Sequence, residues 1–202
     1  PLYFKEIRTY FSSLDEGTWK DYQRFMARKH IQQCMYAHEL MAESVNVEIH
    51  NMGVALNSRF DDYTPSISGD GKLIVFTSRR SDTKGGEIDE GGDYKFFEDV
   101  FYSEWNEKRG EWSTSIGVEG YVNTNTYDAV LSISPQADQM FVYRNNRESA
   151  GDIFVSDFNK HSQEWSEPVK LDRPINSSYY EGSCSITADG DQLFFISERP
   201  DG

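Results

Sequence analysis

The stretch SISGDGKLIVFTSRR, residues 66–80, is the clearest indication of the fold because the chain repeats its pattern twice. The echoes are SISPQADQMFVYRNN at residues 132–146 and SITADGDQLFFISER at residues 185–199. In each copy a short polar turn leads into an apolar run of strand length. A chain that repeats one pattern along its length is built from copies of one structural unit. The sequence therefore predicts a repeat protein made mainly of β-structure.

The repeat begins with an asparagine upstream of each quoted stretch. Every copy then has an acidic residue five positions later, a serine nine positions later and an isoleucine ten positions later. The asparagines are Asn57, Asn123 and Asn176, and the acids are Asp62, Asp128 and Glu181. The last two asparagines are 53 residues apart and the first two are 66 apart. A unit of about 50 residues with several short strands is typical of a β-propeller blade.

Within a copy, the quoted stretch predicts an inner hairpin. Asp70-Gly71 suits its turn because both residues tolerate positive φ, and we expect Ile67 and Phe76 to face the core. The middle copy has Gln136-Ala137 at the turn, which predicts a different or looser turn there. Two tryptophans lie at matching places further along, and we expect them to anchor each blade beneath the start of the next; they are Trp112 and Trp165. The acids at matching places should accept hydrogen bonds from neighbouring loop backbone.

The first 44 residues differ from the rest in charge and pattern. Residues 1–44 carry equal numbers of acidic and basic side chains, so the net charge of −14 lies in residues 45–202. Apolar residues from Trp19 to Met41 recur mostly at helical spacing, and residues 2–11 predict a partner helix. We expect residues 45–55 to form the outer strand of a last blade, which would cover an exposed sheet edge.

The predicted fold class is therefore mainly β. Residues 45–202 should form blades of a partial β-propeller, with repeats that start near residues 57, 123 and 176 and a truncated last copy. Residues 1–44 should form a short α-helical hairpin that ends a helical-repeat array. The chain begins without Met and stops within a repeat, so we expect it to be part of a longer protein.

The motifs Asn-x4-[Asp/Glu]-x3-Ser-Ile-Ser, Gly-Asp-Ile-Phe-Val-Ser and Trp-Ser-Glu-Pro-Val resemble WD40-like repeats of the TolB-type propeller. The preceding helix is similar to the last helix of a tetratricopeptide array. Together they resemble the OmpA-family peptidoglycan-associated lipoproteins of Bacteroidetes, including the PorE-type component of the type IX secretion system. The resemblance implies a periplasmic, outer-membrane-associated lipoprotein that binds other subunits of a secretion or envelope complex. It implies contact with peptidoglycan only through a domain absent from this chain.

The sequence lacks the motifs that are typical of several kinds of function. The net charge of −14 argues against nucleic acid as a partner, and no apolar run is long enough to cross a membrane. There is no Gly-x-Ser-x-Gly nucleophile elbow and no complete Asp box, and the histidines lack metal-ligand spacing. We therefore predict a protein that is not an enzyme, with no catalytic, cofactor-binding or metal residues. Arg80, Arg144 and Arg199 should pair with acids, and Cys34 and Cys184 should be small buried hydrophobic residues.

The best candidate for a functional element is the acidic insert, residues 81–99, which accounts for the longer first repeat. The residues that we predict to contact a partner protein are Asp82, Glu87, Asp89, Glu90 and Asp93. Carboxylates on a glycine-containing loop also suit calcium, although their spacing does not match an EF-hand. No cofactor is expected, calcium being the one alternative, and a merely solvated blade insertion is the third interpretation.

Two alternatives to a scaffold remain open at this point. The first is a carbohydrate-active or peptidase-associated propeller, which true Asp boxes or a hydrolase domain in the flanking sequence would favour. The second is a TolB-like envelope adaptor, which would lack the tetratricopeptide helices.

Overall fold

The computed structural model describes residues 16–43, 45–144 and 151–200, and the chain divides into two units. The first unit is Pro1–His50 and the second is Asn51–Gly202. Described α-helix is confined to the first unit, and the second is built of antiparallel β-sheets. The prediction of a mainly β fold is therefore confirmed.

One helix, α1 (Glu16–Ala42), is described in the first unit. Its large apolar side chains are exposed, namely those of Phe25, Ile31, Met35, Tyr36, Leu40 and Met41. The predicted partner helix, residues 2–11, lies outside the described residues. A helical hairpin of the tetratricopeptide type is therefore not seen in the described part of this unit. Cys34 lies on the exposed helix, so the prediction that it is buried is wrong.

Each sequence repeat forms its own antiparallel sheet in the second unit. The first sheet contains β1 (Asp62–Ile67), β2 (Leu73–Ser78), β3 (Asp99–Asn106), β4 (Glu111–Trp112) and β5 (Ile116–Gly117). The second sheet contains β6 (Ala129–Ile133), β7 (Gln139–Arg144), β8 (Asp152–Asn159), β9 (Glu164–Trp165) and β10 (Val169–Lys170). The third sheet contains β11 (Glu181–Ile186) and β12 (Leu193–Ser197). In the first two sheets the third strand pairs with the second and with both short strands that follow it. The described residues form three sheets in sequence and do not show a closed propeller.

Apolar side chains fill the spaces between consecutive sheets. The cluster between the first and second sheets contains Val75, Val100, Val118, Val122, Val130, Ile133, Met140 and Val142. The cluster between the second and third sheets is centred on Phe141, Ile153 and Cys184. Each sheet thus buries an apolar face against its neighbour, which is the main stabilising contribution in such a stack. The prediction that Cys184 is buried is confirmed.

The asparagine that begins each later copy fastens that copy to the sheet before it. Asn123 accepts a hydrogen bond from the Val100 amide at 2.7 Å and donates to the carbonyl oxygens of Val100 and Val118. Asn176 makes the same three bonds with Ile153 and Leu171. The repeated asparagine is therefore a structural clamp between sheets.

The inner hairpin turns have one geometry in all three copies. Gly71 and Gly190 have φ values of +72° and +82°, and Ala137 occupies the matching place with φ +55°. In each turn this residue donates its amide hydrogen to the carbonyl oxygen of the residue three before it. The prediction of a different turn in the middle copy is therefore wrong. The hydrogen-bonded turn holds an alanine in a left-handed conformation that glycine adopts more readily.

Replacing Ala137 by glycine should raise the free energy of unfolding by about 0.5–1 kcal/mol, because relief of the left-handed strain exceeds the cost of a more flexible unfolded chain. The matched control is Gly71→Ala, which should lower it by about 1 kcal/mol. An added Cβ at Gly71 meets no atom within 4 Å, so that loss would report backbone conformation alone. Urea unfolding followed by tryptophan fluorescence measures both changes. If Ala137→Gly destabilised the protein as much as Gly71→Ala does, the left-handed assignment would be incorrect.

Three packing predictions need correction or refinement. Phe76 is buried as expected, but Ile67 is 52% exposed because no described sheet packs on the outer side of β1. The tryptophans are packing anchors, but they contact the preceding side: Trp165 packs against the cluster between the first two sheets, and Trp112 packs against the outer face of the first sheet. Neither lies beneath the start of the next copy.

The predicted outer strand at residues 45–55 is not formed. The described residues 45–53 have no strand, and the chain turns at Gly53, where the amides of Leu56 and Asn57 both donate to the Gly53 carbonyl oxygen. Leu56 is then buried against the first sheet, and the Ser115 amide donates to the Ala55 carbonyl oxygen at 2.8 Å. A turn capped by a buried leucine therefore covers the first sheet where a strand was expected.

Candidate functional site

The acids repeated at the start of each inner strand form ion pairs with arginines. One Asp62 oxygen accepts hydrogen bonds from Arg80 at 2.8 Å and from the Ser78 hydroxyl at 2.6 Å, and the other accepts the Ser58 amide at 2.6 Å. Arg80 also donates to the Leu56 carbonyl oxygen. Burial raises the pKa of Asp62, but these hydrogen bonds outweigh it and hold the pKa below its ordinary value. Asp62 is therefore a charged structural acceptor.

Glu181 repeats this arrangement in the third copy. It accepts hydrogen bonds from the Ser177 amide and hydroxyl, from the Ser197 hydroxyl at 2.8 Å and from Arg199 at 3.3 Å. Arg199 also donates to the carbonyl oxygens of Pro174 and Ile175. Burial acts to raise the pKa of Glu181, and the hydrogen bonds bring it below its usual value.

The middle copy reaches the same arrangement from a different sequence position. Arg144 lies where the other copies have Ser78 and Ser197, yet its Nε is 3.3 Å from Asp128 and it donates to the carbonyl oxygens of Tyr121 and Val122. Burial raises the pKa of Asp128, because its hydrogen bonds compensate less fully than those of Asp62. All three arginines pair with an acid, as predicted, so they are not free to bind a substrate carboxylate.

The acidic insert is held against the first sheet by its own carboxylates. Arg79 donates two hydrogen bonds to Asp93, at 2.5 and 2.9 Å, and a third to the Phe96 carbonyl oxygen. The Tyr127 hydroxyl donates to Asp89, and this ring lies beneath the Arg79 guanidinium. Of the five predicted site residues, Asp89 and Asp93 are therefore used to shape the loop. The pairing with Arg79 holds the pKa of Asp93 below its usual range.

The other three predicted residues lie free at the surface of the insert. Asp82, Glu87 and Glu90 are exposed, and their carboxylates form no hydrogen bond or ion pair with residues that the structure describes. Two apolar side chains lie among them, Ile88 at 45% exposure and Tyr94 at 73%. Ile88 also forms an isolated bridge with Phe96, which closes the loop behind these residues. The insert thus presents carboxylates and apolar side chains together on a loop that is internally fastened.

The described residues of this loop do not form a group of carboxylates that could bind calcium. Among residues 16–43, 45–144 and 151–200, no three His, Cys, Asp or Glu side chains are grouped to hold a metal ion. Asp89 and Asp93 point to different donors within the insert. No helix in the same ranges is long and apolar enough to cross a membrane.

The residues that fasten the insert were missed by the sequence analysis. Arg79 and Arg80 follow the end of β2, and Arg79 points the opposite way from Arg80, toward the insert, because successive residues of an extended chain alternate in direction. Tyr127 belongs to the second copy, so only the stacking of sheets brings it to the insert. The doubled arginine ahead of the acidic stretch was the one signal in the sequence that could have found this pairing.

Comparison with solved structures finds five chains that are similar to this one. No protein-family model matches the chain, and no curated protein does. The chain is 14% identical to the periplasmic gluconolactonase of Pseudomonas aeruginosa, a propeller-type fold, with a TM-score of 0.39. The match covers 66% of this chain and 35% of that chain. A likeness of this size assigns neither an activity nor a substrate to this chain.

The comparison nevertheless corrects one expectation. The solved structure is named as a gluconolactonase, which is an enzyme, and it stands against the prediction that a chain of this type is not an enzyme. The repeated arginine–acid pairs argue for structural roles at those residues alone. The absence of catalytic function is therefore not carried forward.

Proposed function

We propose that this chain is a protein-binding scaffold module and that the acidic insert contacts its partner. The proposal rests on the observation that the insert carboxylates have two different roles. Asp89 and Asp93 fix the loop through Tyr127 and Arg79, while the carboxylates of Asp82, Glu87 and Glu90 face solvent. A loop ordered in advance loses less conformational entropy on binding than a flexible one.

The exposed side chains define the kind of surface that would fit. Three exposed carboxylates on the same insert as the exposed Tyr94 and Ile88 suit a protein surface with lysine or arginine side chains around an apolar recess. Tyrosine is a favoured contact residue at interfaces because it buries a large ring and keeps a polar end. The proposed partner is therefore a basic surface of another subunit.

The setting is proposed from the repeat motifs. The three sheets would be consecutive blades of a TolB-type β-propeller, and α1 would end a tetratricopeptide array. The whole protein would be a periplasmic, outer-membrane-associated lipoprotein of the OmpA family that links a secretion or envelope complex, of the type IX kind, to the cell wall. Contact with peptidoglycan would belong to a domain absent from this chain, so no residue here is assigned to it. Support for this setting comes from the motifs and from the repeated asparagine and arginine–acid clamps.

A photo-crosslinking amino acid at position 87 should capture one defined protein in cells that make the full-length protein. The matched control places it at Glu164, which is exposed on the short strand β9 of the second sheet. We expect a product from position 87 that is absent from position 164, and at least a fivefold loss of that product when Tyr94 is replaced by alanine. Identical products from both positions, or a product insensitive to Tyr94→Ala, would contradict the proposal.

A further inference from the structure

The base of the insert, residues 81–86, bridges the first and second sheets. The Lys84 ammonium donates to the carbonyl oxygens of Gly120 and Asn123, at 2.9 and 2.8 Å, in the connection that leads to the second sheet. Gly85 packs so closely on this connection that an added Cβ would lie 2.8 Å from the Asn125 carbonyl oxygen. The base is therefore a strap that starts from the first sheet and closes over the junction with the second.

A buried carboxyl group lies directly beneath this strap. Asp99, the first residue of β3, is 2% exposed, and its Oδ2 accepts the Lys84 amide hydrogen at 2.5 Å. Its Oδ1 is buried and has no hydrogen-bond partner among the described residues, and the same is true of the Thr83 hydroxyl. A buried carboxylate with an unpaired oxygen is costly, whereas a protonated carboxyl group can donate a hydrogen bond.

The charges around Asp99 do not offset its burial. Burial is the largest effect and raises the pKa of Asp99 to about 7; the neighbouring acids Asp128 and Asp82 raise it further, while the amide and the ammonium of Lys84 lower it. Asp128 is itself 1% exposed, and its own cation is Arg144. The closed strap therefore holds a proton on Asp99 at a pH where a solvent-exposed aspartate, with a pKa near about 3.9, has lost it.

We propose that Asp99 is a proton-controlled latch for the base of the insert. With the carboxyl group protonated, the strap stays closed over the junction between the sheets. With the carboxyl group ionised, opening of the strap lets the charge reach water and is favoured. This inference concerns how the insert is attached, and it holds whether or not the insert binds a partner.

The second sheet supplies a matched control at the equivalent position. Asp152 is the first residue of β8, as Asp99 is of β3, and it is fully buried. Neither Asp152 oxygen has a hydrogen-bond partner among the described residues, but the Lys170 ammonium lies 2.8 Å from Oδ2, so this buried acid has a cation of its own. The latch should therefore depend on Asp99 and not on Asp152.

Hydrogen exchange at the Lys84 amide tests the latch. After correction for the intrinsic exchange rate, the opening equilibrium should rise roughly 30-fold from pH 5.5 to pH 8.5 in the unaltered protein, because a group with a closed-state pKa near 7 and an open-state pKa near 3.9 loses its proton on opening over this range. In Asp99→Asn the rise should be less than about twofold, and in Asp152→Asn it should be retained in full. The carboxyl carbon of Asp99 in the unaltered protein, followed by NMR, should titrate near pH 7 and provides a measurement that needs no variant.

Three outcomes would overturn the latch. These are a Lys84 opening equilibrium that does not change with pH, an Asp99→Asn variant that keeps the full rise, and an Asp99 carbon that titrates near pH 4. Loss of partner crosslinking with the hydrogen-exchange result intact would count against the proposed function and leave the latch standing.

Discussion

Replacing Asn123 by alanine should lower the free energy of unfolding by about 2–4 kcal/mol, since it deletes three hydrogen bonds and leaves buried backbone groups without partners. Asn123 is 2% exposed, and its amide joins the start of the second sheet to Val100 and Val118 of the first. Urea unfolding followed by tryptophan fluorescence is the measurement. The loss should come with an unchanged dependence of unfolding free energy on urea, because the surface exposed on unfolding stays the same.

The repeat itself offers the control for this variant. Asn57 occupies the same place in the first copy, but it is exposed and its side-chain amide donates to Asn51. Asn57→Ala should therefore cost less than about 0.5 kcal/mol. Equal losses in the two variants would contradict the assignment of Asn123 as a clamp between sheets.

Replacing Arg80 by alanine should cost about 3–5 kcal/mol, because it leaves the Asp62 carboxylate largely buried without its cation. Both side chains are only 12% exposed. Arg80 also donates to Ser115 and lies over the ring of Phe101, 4.6 Å from its centroid. The exposed pair Arg109–Glu111, at 3.6 Å, gives the control: Arg109→Ala should change the unfolding free energy by less than about 0.5 kcal/mol.

The cost of Arg80→Ala should depend on pH in a direction set by Asp62. The pKa of Asp62 is held below its ordinary value, so the stability that this group contributes is present above about pH 4 and is lost as the pH falls through the lowered folded-state pKa. In Arg80→Ala the buried carboxyl group is relieved by protonation. The difference between the two proteins should therefore shrink as the pH is lowered from 7 to 3.5. A difference that grows on acidification would show that Arg80 acts through packing and not through Asp62.

Local spacing predicted the repeated parts of the fold well. The register from Asn57, Asn123 and Asn176 marked the three copies, since a side chain that must meet the same backbone groups in every copy has to return at fixed offsets. The same argument placed Asp62 and Glu181 in structural roles before any geometry was known.

The sequence did not predict contacts that depend on the length of a side chain or on packing against a neighbouring element. The pairing of Arg144 with an acid was predicted, but alignment did not show that it is equivalent to Arg80. Arg144 lies two positions earlier in its copy, and only its long side chain brings the guanidinium to the equivalent acid. Ile67 follows the repeat pattern but is exposed, because the pattern does not report that no described sheet covers it. Residues 45–55 were predicted to form a strand because of a likeness to the end of a repeat, but the chain turns at Gly53 to bury Leu56.

The sequence predicted the location of the candidate site but not the roles of its individual residues. Composition identified the acidic insert, but it could not separate the carboxylates that fasten the loop from those that face solvent. That separation depends on Arg79 and Tyr127, which come from different copies of the repeat. It also shows why substitutions in the insert should have two kinds of effect, on loop structure at Asp93 and on recognition at Glu87.

A combined measurement on one variant tests whether the repeats stabilise the fold while the insert binds the partner. Asp82→Asn, Glu87→Gln and Glu90→Gln together remove three exposed charges, and their carboxylates form no hydrogen bond or ion pair with described residues. With an aromatic photo-crosslinking amino acid at position 94, which keeps a ring in place of the tyrosine, this variant should lose at least nine-tenths of the partner crosslink seen when the three acids are intact. Its thermal unfolding midpoint should stay within about 2 °C, as expected for exposed surface substitutions. An unchanged crosslink, or a fall in the midpoint comparable to that of Asn123→Ala, would contradict the account.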